Sequence, residues 1–135
     1  MLDTYRTDHG GSLTDDQIRF YDLEGYLVLT ALLDEADLAP VKTSMMHKVD
    51  QIAYDLYANQ LISDKRQSDP FETRLANLFC GLSDADFLQF GRSWRDRLPG
   101  YYQIMANPKI LAAVESLIGG EIFANPVYNT RPKVP

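Results

Sequence analysis

The feature of this sequence that most constrains its fold is a long run of apolar residues spaced three or four positions apart. The run extends from residue 38 to residue 56, and this spacing places all of its members on one face of an α-helix. A helix with one apolar face has to bury that face against other elements. We therefore predict a helical unit built around six positions: Leu38, Val41, Met45, Val49, Ile52 and Leu56.

A helix and a short strand are predicted before this run. Thr14 and Gln17 have the spacing of a capping box, and Gly25 suits the left-handed residue that ends a helix. The residues Tyr26–Thr30, YLVLT, favour a short buried strand. Residues 1–12, which end in two glycines and a serine, look like a flexible N-terminal arm.

The start of the long helix has two candidate N-caps, Asp34 and Asp37. We prefer Asp37, because Pro40 then falls in the first turn, where the missing N–H of proline costs little. A polar loop follows the long helix from Ser63 to Pro70, and a further helix is predicted from about Phe71 to Leu82.

Caps and prolines divide the second half of the chain. Ser83 caps a helix that Pro99 and Gly100 are expected to end. Asn107 and Pro108 begin another helix, because asparagine is a good N-cap and proline suits the first helical position. The predicted buried face of this last helix comprises Ile110, Leu111, Val114, Leu117 and Ile118.

The segment Glu121–Arg131 is predicted to be a β-strand. Its valine, tyrosine and threonine favour a pleated backbone, and the prolines that follow forbid a helix. A strand is not stable alone, so several helices leading into a sheet predict an α+β fold. One face of this strand is unusually polar for a core, since it carries Asn125, Val127, Asn129 and Arg131.

Charge and composition exclude several classes of protein. The net charge of -6 argues against a general nucleic-acid binder, which is normally basic. The N-terminal residues do not resemble a signal peptide, and no apolar run approaches the roughly 18 residues that span a bilayer. The single cysteine, Cys80, favours a reducing compartment. We therefore expect a cytoplasmic protein that binds neither nucleic acid nor membrane.

Few residues could carry chemistry by themselves. The two histidines, His9 and His47, do not stand at the spacing of a metal motif, so surface positions are the favoured interpretation. Cys80 has no evident histidine partner and is interpreted as a small helix residue. A solvated face is also the favoured interpretation of three closely spaced arginines, Arg92, Arg95 and Arg97.

Three segments resemble the phytanoyl-CoA dioxygenase family. LTDDQIRFYDLEGYLVLTALLDEADL (Leu13–Leu38) resembles the family's opening helix, aliphatic strand and start of a long helix. NPKILAAVESLIGGEIF (Asn107–Phe123) resembles the helix that leads into its core, and NPVYNTRPKVP (Asn125–Pro135) resembles the core strand upstream of its iron site. The resemblance covers nearly the whole chain in order and is weakest over Tyr54–Gly91.

The resemblance implies a helical lobe up to about residue 120, followed at residues 121–131 by the first strand of a double-stranded β-helix, a jelly-roll, cupin-like barrel. Residues 13–135 would form the N-terminal part of that domain. Such enzymes hold Fe(II) with a His-x-Asp motif and a later histidine, and use 2-oxoglutarate and O2 to hydroxylate a small-molecule substrate. The present sequence has no His-x-Asp. We therefore expect a truncated chain with an incomplete barrel, inactive and without Fe(II) or 2-oxoglutarate by itself.

The resemblance also implies roles for residues of the last strand. In similar enzymes the asparagine two residues before a basic-Pro pair contacts 2-oxoglutarate, and that position is Asn129. Asn125 and Val127, on the same face, would lie nearer the substrate, and Arg92 or Arg95 corresponds loosely to a basic co-substrate contact. The alternative hypothesis is a free-standing helical binding or scaffold module that has lost the catalytic barrel.

Overall fold

The computed structural model describes residues 4–6, 10–91, 97–125 and 130. These residues form two compact units. The first comprises the described residues up to Pro40 together with residues 101–125, and the second comprises the described residues between 41 and 100 together with residue 130. In chain order the elements are β1 (Thr4–Arg6), α1 (Asp15–Glu24), β2 (Val28–Thr30), α2 (Glu35–Ala58), α3 (Phe71–Phe79), α4 (Asp84–Asp86), a π-helical turn (Phe87–Gly91), α5 (Pro99–Met105) and α6 (Pro108–Ile118).

The first unit contains a two-stranded parallel sheet. Thr4 pairs with Val28, Tyr5 with Leu29 and Arg6 with Thr30. The Thr30 hydroxyl adds a bond to the Tyr5 carbonyl at 3.3 Å. Residues 4–6, which we expected in a flexible arm, are therefore a strand, and β2 is two residues shorter than predicted.

Helix α1 confirms the predicted capping box. The Gln17 N–H donates to Thr14 Oγ1 at 3.3 Å, and the Thr14 N–H donates to Gln17 Oε1 at 2.8 Å. Gly25 ends the helix with φ of 75°, a left-handed conformation that glycine adopts without strain.

The N-cap preferred for α2 is wrong. The helix begins at Glu35, immediately after Asp34, and Pro40 lies inside it. Asp34 and Asp37 bond reciprocally: the Asp37 N–H donates to Asp34 Oδ1 at 3.0 Å, and the Asp34 N–H donates to Asp37 Oδ2 at 2.9 Å. This pair satisfies two N–H groups at the helix start.

The apolar run of α2 forms the core of the second unit. Its last three predicted positions, Val49, Ile52 and Leu56, are buried, and Ala53 joins them. Helix α3 contributes Leu78 and Phe79 to the same core. The α2 positions confirm the 3.6-residue periodicity, because positions 49, 52, 53 and 56 follow the i, i+3, i+4, i+7 spacing of a single helix face.

The region after α3 departs from the prediction. Ser83 is confirmed as an N-cap and forms a capping box with Asp86, but α4 is a single turn followed by the π-helical turn. Pro99 begins α5 instead of ending a helix, since a first helical residue needs no N–H of its own. The next N–H, of Gly100, donates to Ser44 Oγ at 3.0 Å.

Helix α6 begins where the sequence predicted. Asn107 is its N-cap and accepts from the Lys109 N–H at 2.9 Å. Ile118 does not belong to a buried face, because it is 65% exposed. Of the predicted final strand, residues 121–125 and 130 have no regular secondary structure, and its other residues lie outside the described part of the chain.

Candidate functional site

The structure locates only part of the predicted site. Asn125 is exposed, whereas Val127 and Asn129 lie outside the described residues. Arg92, Arg95 and His9 also lie outside them, while Arg97, His47 and Cys80 are exposed. The predicted contacts of Asn129, Asn125 and Val127 with co-substrate and substrate therefore stay predictions.

The residues of the described segments do not supply a metal centre. No group of three or more histidine, cysteine, aspartate or glutamate side chains within them could hold an ion. A facial triad requires two histidines and a carboxylate that converge on one ion. The described part of the chain therefore does not supply the ligands for the Fe(II) that the resemblance implies.

The first unit contains an apolar cavity of about 250 Å³. Leu27 precedes β2 and Leu29 lies within it, and with this spacing their side chains share one face of an extended segment. Helix α6 supplies residues three or four positions apart, which also share a face. The complete lining is Leu13, Tyr21, Leu27, Leu29, Leu32, Ile110, Ala113, Val114 and Leu117.

This lining is an incompletely covered hydrophobic core. Ala113 is its one buried member, and the larger apolar side chains around it remain partly exposed. Removing apolar surface from water is favourable by about 25 cal/mol per Å². Covering the cavity with a further apolar element would therefore stabilise the first unit. Among the described residues that line the cavity, Tyr21 alone carries a polar side-chain group, its hydroxyl.

A polar network joins the N-terminal ends of α2 and α6, both within the first unit. Lys109 Nζ contacts Asp34 Oδ2 at 3.0 Å and Asp37 Oδ2 at 2.5 Å. The Asn107 side chain donates to Asp37 Oδ1 at 2.9 Å. The carboxylates also lie near two helix N-termini, where negative charge is favourable. We call Asp34, Asp37, Asn107 and Lys109 the cap cluster.

Hydrogen bonds set the protonation of the cap cluster. The pKa of Asp37 is held well below its usual range, first by the Lys109 ammonium, then by the Asp34 N–H and the Asn107 amide. The Asp37 N–H and then Lys109 lower the pKa of Asp34. Bonds to Asp37 and Asp34 raise the pKa of Lys109. All three shifts favour the charged forms.

Gly11 packs against the backbone of Lys109. Its φ is +107°, and a Cβ at this position would overlap the Lys109 carbonyl oxygen. The neighbouring Gly10 has φ of +64°, but a Cβ added there would meet no atom of the described residues within 4 Å. Gly11 thus has both a steric and a conformational requirement for glycine, whereas Gly10 has only the conformational one.

We predict acid destabilisation through the cap cluster. Because the folded-state pKa of Asp37 is lowered, its contribution to stability is present above its unfolded pKa, about 3.9, and is lost as the pH falls further. Asp37→Asn should therefore reduce the slope of unfolding free energy against pH below about pH 4. Urea titrations over this range measure the slope.

Lys109→Met is the complementary variant for this test. It removes the cation that lowers the pKa of both carboxylates, so the acid-dependent slope should shrink in this variant too. An unchanged slope in both variants would show that the cap cluster does not contribute to acid sensitivity.

The second unit has a buried charge of its own. Arg74 is 2% exposed and places Nη1 2.7 Å from Asp50 Oδ1, while Asp50 itself is 55% exposed. Nη2 donates to the Lys65 carbonyl at 3.1 Å. Nε is buried and has no hydrogen-bond partner among the described residues. Arg74 thus connects α3 to α2 and to the preceding loop.

Among the described residues, no helix combines the length and the apolar character needed to cross a membrane.

Comparisons with other proteins leave the chain without an assigned relative. None of the protein-family profiles, curated proteins or solved structures compared with the chain matches it.

Proposed function

We propose that this sequence is the N-terminal part of a non-haem Fe(II)- and 2-oxoglutarate-dependent dioxygenase of the phytanoyl-CoA dioxygenase type. The observation that carries the proposal is the open apolar core of the first unit. The cavity presents apolar surface that further strands of a barrel would cover. This surface is formed by Leu27 and Leu29 on one side and by Ile110 and Leu117 on the other. A two-stranded sheet is also marginally stable without added strands.

The order of the elements supports the same proposal. The segment Leu13–Leu38, which resembles the family's opening, contains α1, β2 and the start of α2 in the implied order. The segment Asn107–Phe123 contains α6, the helix expected before the barrel. This agreement concerns helices and one strand, so it supports the architecture of the N-terminal part. It does not bear on the catalytic chemistry, which in the family takes place in the barrel.

In the intact enzyme, the reaction would hydroxylate a C–H bond of a small-molecule substrate with 2-oxoglutarate and O2 as co-substrates. Within this chain, Asn129 would donate its amide N–H to a carboxylate of 2-oxoglutarate. Asn125 and Val127 would face the substrate. We propose the cytoplasm as the compartment, in keeping with the single cysteine.

The coding sequence that follows Pro135 tests this proposal. The dioxygenase hypothesis predicts an in-frame His-x-Asp shortly downstream and a later histidine. A reading frame that continues without these ligands would refute it.

A free-standing binding or scaffold module is the second candidate function. The buried core of the second unit favours this module, because such a core can support a helical unit by itself. Its almost fully inaccessible residues are Ile52, Ala53, Leu56 and Leu78. In that case the apolar cavity of the first unit would receive an apolar group of a partner. An immediate stop codon after Pro135 would favour this module over the enzyme.

We predict that Asn129→Ala in the intact enzyme raises the KM for 2-oxoglutarate. Loss of one hydrogen bond to a charged group costs about 1.5–3 kcal/mol, or roughly 10- to 100-fold in affinity. Steady-state kinetics at varied 2-oxoglutarate, with thermal unfolding in parallel, measures the effect.

Asn59→Ala is the matched control, because Asn59 is an exposed asparagine whose amide bonds only the nearby Asp55 carbonyl among the described contacts. Its KM should equal that of the unmodified enzyme. If Asn129→Ala instead unfolded the protein and left the KM of the folded fraction unchanged, Asn129 would have a structural role.

A further inference from the structure

No further inference is drawn: the strongest candidate, the apolar cavity between β2, α1 and α6, already carries the proposed function, and nothing in the structure shows what covers it.

Discussion

Asp50→Ala is expected to lower the free energy of unfolding by about 3 kcal/mol, more than the loss of its buried partner Arg74. Asp50 is largely exposed, whereas Arg74 is almost fully buried. Removing Asp50 leaves a buried guanidinium without its counter-charge, which is strongly destabilising. The expected value is at the low end for buried pairs, because water can reach the space that the exposed Asp50 side chain vacates.

Arg74→Met should cost only about 1 kcal/mol. Methionine keeps most of the buried volume and removes the charge, and the exposed Asp50 carboxylate can then be hydrated. The remaining cost comes from the Lys65 carbonyl, which loses a donor. The double variant Asp50→Ala/Arg74→Met should therefore resemble Arg74→Met and be more stable than Asp50→Ala.

Urea denaturation of the single and double variants measures these differences. Asp55→Ala is the matched control, because it removes another exposed aspartate of α2 and should change stability by no more than about 0.5 kcal/mol. If Asp50→Ala were as mild as Asp55→Ala, the pair with Arg74 would contribute little to the second unit.

Gly11→Ala is expected to destabilise the first unit by about 3 kcal/mol, from backbone strain and overpacking together. Part of this cost is backbone strain, since residues other than glycine rarely adopt φ near +107°. The rest is overpacking, because the added methyl group meets the backbone of Lys109 at the start of α6 and cannot be relieved by a side-chain rotation. The displacement should also disturb the contacts of Lys109 with Asp34 and Asp37.

Gly10→Ala separates strain from overpacking. Gly10 also has a positive φ, but within the described part of the chain its added methyl group meets nothing within 4 Å, so only the left-handed penalty of about 1–2 kcal/mol remains. Chemical denaturation of both variants gives the comparison. Equal stability of the two variants would contradict the close packing of Gly11 on Lys109.

Local signals predicted the ends of several elements correctly. Three helices begin where the sequence indicated, at Thr14 with Gln17, at Ser83 with Asp86, and at Asn107 with Pro108. These signals are readable because each cap bonds to backbone only a few residues away. The apolar periodicity of α2 succeeded for a similar reason, since one helix face is encoded in a continuous segment.

Interactions between distant segments could not be read in this way. Asp34 and Asp37 were candidate N-caps in the sequence, but their pairing with Lys109 joins residues more than 70 positions apart. Pro99 could end one helix or begin another, and proline chemistry permits both. Strand β1 has only three residues, too few for a period-two pattern to distinguish it from a loop.

The candidate site was predictable to different extents. Apolar positions of α6 such as Ile110 and Val114 were expected to face a core, but the sequence did not indicate that this core would enclose an open cavity. The buried Arg74 had no sequence signal, because arginine is rarely buried unless it is paired. The role of Asn129 comes from the family resemblance alone.

Calorimetric titration of 2-oxoglutarate into the protein encoded by the complete reading frame tests the dioxygenase proposal most directly. The titration is performed without O2, once with Fe(II) and once with a metal chelator. We predict stoichiometric binding that requires Fe(II) and that Asn129→Ala weakens by roughly 10- to 100-fold. A folded full-length protein that binds no 2-oxoglutarate in the presence of Fe(II) would contradict the proposal.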